Sequence, residues 1–408
     1  MKVLSMLFAG FVVGYAISDI GPFDSLLSRT AQFGSSATIV NGLTVLALTA
    51  ALASVVLARS SARGVLVVAI GAVLVVVFRA VGMVTGMLGD WSGAVSAGVV
   101  LGASAVLAGR DRGAQASLAV AAIGAGLLGN ALDALLQADD GPVFVWDVVG
   151  AEDAVAPERA IVMVIAASGA ALALFLAFRD KEVQRCETRR TLLVGLPLTF
   201  LAGVLSWIAG GHDARSVEWL CALAGMTAIA LLASFVLPGR DGLVLLVLFA
   251  SSVIGSVGFG AEDSLQLAVS VVSLIAGAAI GYRWPQMYVG LGGLLVLAGA
   301  ALIEGYVALP TVSQFVLPFV VSYALVSVLS TAPGSLAIAL PALFTMTLPV
   351  TMYAASSQIA STYDRAVGTR TTEPDHLMLS VAGLVVVSVV TVACAMLKRR
   401  PTVVNGNS

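Results

Sequence analysis

Fourteen stretches of apolar sequence, each about 17–24 residues long, follow one another along the 408-residue chain, and each is long enough to carry a helix across a hydrocarbon layer of about 30 Å. They fall approximately at 3–18, 38–58, 64–87, 92–109, 114–136, 159–178, 191–209, 217–237, 242–261, 264–282, 286–308, 313–332, 335–354 and 376–397. Inside lipid a backbone must satisfy its own hydrogen bonds, so only helices or closed barrels can span. The alternating ten-residue segments of a membrane barrel are missing here. The sequence therefore predicts an all-α, polytopic membrane protein of about fourteen transmembrane helices. Composition agrees: 59% of residues are hydrophobic and 11% are charged, against about 25% charged in an ordinary soluble domain.

Charge tests the map independently of hydropathy. With the N-terminus inside, the inner segments hold fifteen of the 21 basic residues, among them Lys2, Arg59, Arg63, Arg110, Arg112, Arg283, Lys398 and Arg399. The outer segments hold five, and Arg79 falls within a span. Basic residues concentrate on the cytoplasmic side of membrane proteins, so both termini are expected in the cytoplasm and the protein in the inner membrane. The basic loop 179–190 separates six spans from eight. The expected organisation is 6+6+2: a six-helix bundle with its loop over 1–190, a second bundle over 191–332, and two further helices over 333–408. The turn at 332–335 carries no charge, which leaves open a re-entrant unit over 313–354 in place of two full spans. Trp91, Trp207, Trp219 and Trp284 fall at predicted turns, the interfacial position usual for tryptophan.

An ionisable group within a span is the first functional candidate in such a chain, because it must face protein or water. Arg79 stands in Val-Val-Val-Phe-Arg-Ala, beyond the predicted midplane. Asp133 and Glu304 fall at similar depth in other spans, and Asn130 shares a helix face with Asp133. Convergence of Arg79, Asn130, Asp133 and Glu304 would line a vestibule; the competing expectation is that the two carboxylates merely mark helix ends. Gly124, Gly126 and Gly129 permit close helix approach ahead of Asp133, and Gly290, Gly292, Gly293 and Gly299 lie along one span. Pro318, Pro341 and Pro349 are candidate helix breaks.

Several functions find no support in the residues. His212 and His376 both fall in or beside outer loops, so neither a haem pair nor a buried metal site is expected, and the sequence implies no cofactor. No glycine-rich phosphate loop or ATP-binding domain is present. A net charge of −2 offers nothing to nucleic acid. Three cysteines form no disulfide framework. An enzyme is not favoured, although Asp19 and Asp24 could be read as those of a membrane glycosyltransferase. The expected partners are the lipid bilayer, an anionic or lipid-linked substrate, and envelope-biosynthesis proteins. The Ala, Val, Gly and Leu bias, with Arg above Lys, is that of a high-GC bacterium such as an actinobacterium.

Six helices, a basic loop, six more and then two resembles the topology of the polysaccharide and lipid-linked precursor flippases. That resemblance implies export or flipping of an amphipathic envelope precursor by alternating access. Six plus six spans with both termini inside is similar also to the major facilitator superfamily, implying a secondary transporter of a small solute. The loop after the second span reads Ala58-Arg-Ser-Ser-Ala-Arg-Gly64, without the aspartate of that family's motif, while Gly109-Arg110-Asp111-Arg112-Gly113 is partly similar to it but follows the fourth span. Neither resemblance lends site residues. A third expectation is a scaffold subunit of an envelope-biosynthesis complex, suggested by the scarcity of polar groups within the spans.

Overall fold

The structure is a computed structural model that describes residues 1–20, 35–80, 86–109, 111–136, 157–178, 188–210, 216–237, 241–255, 264–304, 310–329, 336, 339–340 and 376–399. Among them the regular structure is entirely helical. The helices are α1 (Lys2–Ile20), α2 (Ser35–Leu57), α3 (Ala62–Ala80), α4 (Gly86–Ala108), α5 (Arg112–Leu136), α6 (Pro157–Phe178) and α7 (Thr188–Gly210), then α8 (Ser216–Val236), α9 (Asp241–Gly255), α10 (Ser264–Arg283), α11 (Met287–Glu304), α12 (Pro310–Val328) and α13 (His376–Lys398). Four apolar stretches of membrane-spanning length lie wholly within the described residues: Trp91–Ala108, Trp219–Val236, Ser264–Arg283 and Ser380–Lys398.

The surface identifies the solvent. Helix α6 exposes Ile161, Ile165 and Leu172, while Ala166, Ala167, Ala170 and Leu174 face inward. Helices α8, α10, α11 and α13 likewise present Leu232, Val272, Val296 and Val385 outward. A soluble helix has its large apolar residues inside. Here they cover the outside and alanine packs within, the arrangement of a multi-pass protein bathed in lipid tails.

Small residues set how closely the helices approach. A Cβ placed on Gly10 of α1 would lie 2.5 Å from the Leu118 carbonyl oxygen of α5, and one on Gly14 would strike the Ala122 carbonyl. The spacing Gly10-x-x-x-Gly14 puts both glycines on one face, and α1 lies backbone to backbone along α5. The same spacing recurs at Gly98 and Gly102 of α4, against α2, and at Gly277 and Gly281 of α10, against Phe319, Ser322 and Tyr323 of α12.

Packing divides the described helices into two groups with matching pairings. In the first, α2 packs on α4, α3 on α4 and α6, and α1 on α4 and α6. In the second, α10 packs on α12, α11 on α12 and α13, and α9 on α12 and α13. These five pairings of the first group each have a counterpart when α1, α2, α3, α4 and α6 are matched to α9, α10, α11, α12 and α13. Between α12 and α13, Leu336, Ala339 and Leu340 are helical and buried; the rest of the span expected over 335–354 lies outside the described residues. Helices α7 and α8 stand between the groups: α7 packs on α2 of the first, and α8 on α9 and α13 of the second.

Two sequence expectations are corrected. The span predicted over 64–87 ends at Ala80, and α4 already begins at Gly86, so Trp91 lies inside α4 instead of in a turn. Arg79 accordingly stands in the last turn of α3, not a dozen residues short of the interface. Hydropathy blurs this boundary because Val81-Gly-Met-Val-Thr85 is itself apolar. The glycines of α11 also separate by role: Gly290 and Gly293 meet Ala324 and Val320 of α12, whereas Gly292 and Gly299 face open space.

Replacing Gly14 with Leu should lower the melting temperature of the detergent-purified protein, since overpacking commonly costs about 1–3 kcal/mol. Gly292→Ala should leave it unchanged or slightly higher, because nothing lies within 4 Å of its Cβ position and alanine favours the helix.

Candidate functional site

The chain turns from α4 into α5 through a motif that holds the first group against the second. Gly109 adopts φ 57°, the left-handed region in which a Cβ is disfavoured, and so ends α4. Asp111 then starts α5: its Oδ1 accepts from the backbone N–H of Gly113 at 3.0 Å and of Ala114 at 3.2 Å, the N-cap role to which a short carboxylate is suited. Buried Gln115 donates through Nε2 to the Gly109 carbonyl, tying the turn to the first turn of the new helix.

This rigid turn aims Arg112 across the boundary between groups. Its Nη2 donates to the Val326 carbonyl of α12 at 3.1 Å, and its guanidinium lies 5.5 Å from the ring centroid of Tyr282 at the end of α10. Val326 is in the last turn of α12, where carbonyls lack intrahelical partners and the helix dipole favours a cation. A hydrogen bond from a charged donor contributes about 1.5–3 kcal/mol, and a cation over an aromatic ring about 0.5–2 kcal/mol. The Arg112 Nε is buried without a hydrogen-bond partner among the described residues.

Other contacts gather at this end. Lys2 Nζ lies 3.9 Å from Asp111 Oδ2, an ion pair open enough to water to contribute only about 0–1 kcal/mol. Tyr323 donates its hydroxyl to the Trp284 carbonyl at 3.1 Å, joining α12 to the turn between α10 and α11. Arg283 lies over Trp284, and Lys398 Nζ is 4.3 Å from the centroid of Tyr288. Through these contacts the first residues of α1 and the last of α13 occupy one end of the bundle, with the starts of α5 and α11 and the ends of α10 and α12. Among the described residues the two groups are packed together here: Ala114–Ala116 of α5 and Val326–Leu329 at the end of α12 are all buried.

Of the residues singled out from sequence, Arg79 sits at the opposite end. Its guanidinium crosses Gly93 of α4, where a Cβ would stand 2.6 Å from Nη1. The principal neighbours of α3 are α4 and α6 of its own group. Asn130 and Asp133 are in the last two turns of α5, and Glu304 is the final residue of α11. Their side chains lie outside the described residues, as do Pro341 and Pro349. Pro318 is buried inside α12. The interior polar groups of the described helices are chiefly hydroxyls bonded to carbonyls of their own helix, such as Ser54 to Ala51, Thr199 to Gly195 and Ser327 to Ala324. Arg112, Tyr282 and the Val326 carbonyl were not ranked as site residues by depth in a span, since all stand at helix ends. The nearest signal was the Gly-Arg-Asp-Arg-Gly pattern itself, which combines a helix stop, a helix cap and a projecting arginine.

Comparison with known proteins gives a likeness of fold. No family model matches the sequence, and no curated protein matches it. Among solved structures, the human organic anion transporter MFSD10 (TETRAN) superposes with a TM-score of 0.51 at 19% identity, over 95% of this chain and 99% of that one. An auto-inhibited peptide transporter of the POT family superposes with a TM-score of 0.50 at 11% identity, over 100% of this chain and 98% of the other. The proton:xylose symporter XylE of the major facilitator superfamily is also similar, at a TM-score of 0.48 and 13% identity, over 95% and 94% of the two chains.

Arg112→Ala should destabilise the purified protein by about 1–3 kcal/mol, and Arg112→Lys by less, because lysine keeps the charge at the end of α12 but loses the planar fork. Thermal unfolding in detergent measures both. At the other end, Gly93→Val should drive the Arg79 guanidinium from its seat; increased protection from proteolysis at residues 81–85 would contradict that expectation.

Proposed function

We propose that the protein is a secondary transporter of the major-facilitator type, which moves a small solute by alternating access and has no motor domain of its own. The observation that carries this reading is the pair of matched helix groups meeting at a closed basic end, in a chain whose fold is that of transporters along nearly its whole length. The flippase reading draws no support from these comparisons, and the reading as a secondary transporter, offered beside it from sequence, takes its place. A scaffold would not require two groups joined by a breakable polar contact.

The organisation this supports is six, two and six, in place of six, six and two. Helices α1–α6 form the first half and α7–α8 an intervening hairpin. Helices α9–α13, with the further span expected from sequence over 335–354, most of which lies outside the described residues, form the second half. Helix α12 finishes at the basic end beside Arg112, and α13 starts at the opposite end and finishes beside Tyr288. The total remains fourteen, and the positive-inside rule puts the basic end and both termini in the cytoplasm.

In this mechanism Arg112 is the clasp. While Nη2 holds the Val326 carbonyl, the cytoplasmic end stays shut; when the halves rock apart, the carbonyl and guanidinium pass to water, which costs little because both are at helix ends. The bond is therefore stable enough to bias the closed state and weak enough to break in each cycle. Interior hydroxyls committed to their own helices favour a weakly polar or amphipathic solute over a strongly hydrated one. Arg79, Asn130, Asp133 and Glu304 remain candidates for the opposite mouth.

Spin labels at Ser60 and Gln286, one on each half at the basic end, should report two interconverting distances in lipid. Arg112→Ala should shift the population toward the longer one, by about tenfold for each 1.4 kcal/mol of clasp energy removed. A single distance, unchanged by Arg112→Ala and by a panel of organic acids, amines, sugars and peptides under a proton gradient, would count against alternating access.

A further inference from the structure

A groove of about 710 Å³ runs between α8 and α13. Its walls include Leu220, Thr227 and Leu231 of α8 and Met378, Val385 and Val389 of α13. The groove exists because α8 turns small side chains, Ala224 and Ala228, toward it, while Val381, Val385 and Val389 along the facing helix are exposed to the bilayer. Thr227 is the only polar side chain in the lining, and its hydroxyl is donated to the Leu223 carbonyl at 2.8 Å. Nothing in the lining is left to bind water or a polar ligand.

We propose that this groove holds an acyl chain of a membrane lipid, in the leaflet opposite the basic end. Depth supports this. Leu220–Leu231 and Met378–Val389 each cover eleven residue steps, about 16 Å at 1.5 Å per residue, which is about half of a 30 Å hydrocarbon core and so one leaflet. Both segments begin near the helix ends remote from Lys398 and run inward in parallel, as an acyl chain does from its head group. The groove is open along its length to the surrounding lipid, and of its twelve lining residues all but Thr227 are apolar, so a hydrocarbon chain meets matching surface all along it. The site also has a structural consequence: α8 joins the intervening hairpin to the second group, so a chain in the groove fills the seam between them.

The test uses the full-length protein in phosphatidylcholine nanodiscs doped with a phosphatidylcholine that carries a diazirine in mid-chain. After irradiation, adducts are mapped by peptide mass spectrometry. The expected result is enrichment on 220–231 and 378–389 over the plain lipid-facing surface of α10 around Leu265–Ile275. Ala228→Trp, which fills the groove from an exposed position, should lower the groove adducts about tenfold, as expected once two buried methylenes are excluded, and leave the α10 adducts unchanged. If Ala228→Trp does not run as a folded species in gel filtration, Val385→Trp fills the groove from the other wall and is read in the same way. Equal labelling of groove and α10, or groove labelling that survives the folded tryptophan variant, overturns the proposal. So does disulfide or photo-cross-linking of the groove walls to residues 341–375 or to a second copy of the chain, which would mean that protein fills the groove.

Discussion

Helix-to-helix contact at backbone distance is what the rest of the bundle depends on. Between helices in lipid, hydrophobic burial gives little drive, because the tails displaced are as apolar as the side chains that replace them. Association then depends on close van der Waals packing, and that requires small residues at the crossing. Gly10 and Gly14 permit it for α1 on α5, Gly98 and Gly102 for α4 on α2, and Gly277 and Gly281 for α10 on α12. These three contacts lock the pairs from which both groups are assembled. They also explain why so much alanine is buried at the helix crossings alongside leucine and valine.

A bundle held by close packing has few polar interactions to spare, and those it has are placed where they can be broken. The contacts between groups at the basic end are a guanidinium on a terminal carbonyl and the same guanidinium over a tyrosine ring. Each stands at a helix end, where water can replace the lost partner. Buried deep in the spans, the same bonds would be far more costly to open, since an unpaired group in hydrocarbon has no substitute partner. Rigid packing within each group and exchangeable polar contact between groups together suit two bodies that rock against each other.

Legibility from sequence followed this division. Helical class, multiple spanning and the great majority of helix positions could be read from hydropathy, because hydrocarbon thickness imposes a length on every span. The boundary between α3 and α4 could not, since Val81–Thr85 continues the apolar run between them without a break in hydropathy. Arg79, expected beyond the midplane of a longer span, stands in the last turn of α3 against Gly93. The 6+6+2 division followed the most basic loop, at 179–190; among the described helices α7 packs on the first group and α8 on the second. Charge in a loop reports sidedness and not which helices pack together.

By itself the sequence determined that this chain lives in lipid, that it crosses many times, and which end carries the positive charge. Those properties depend on each segment's own transfer from water and on the charge beside it. Only the tertiary structure decided that α1–α4 and α6 share a pattern of pairing with α9–α13, that α7 and α8 bridge them, and that Arg112 reaches from one group to the last turn of the other. These depend on which glycine faces which backbone and on residues more than two hundred positions apart, such as Arg112 and Val326. No local pattern encodes such a partnership, because it exists only after the helices have packed.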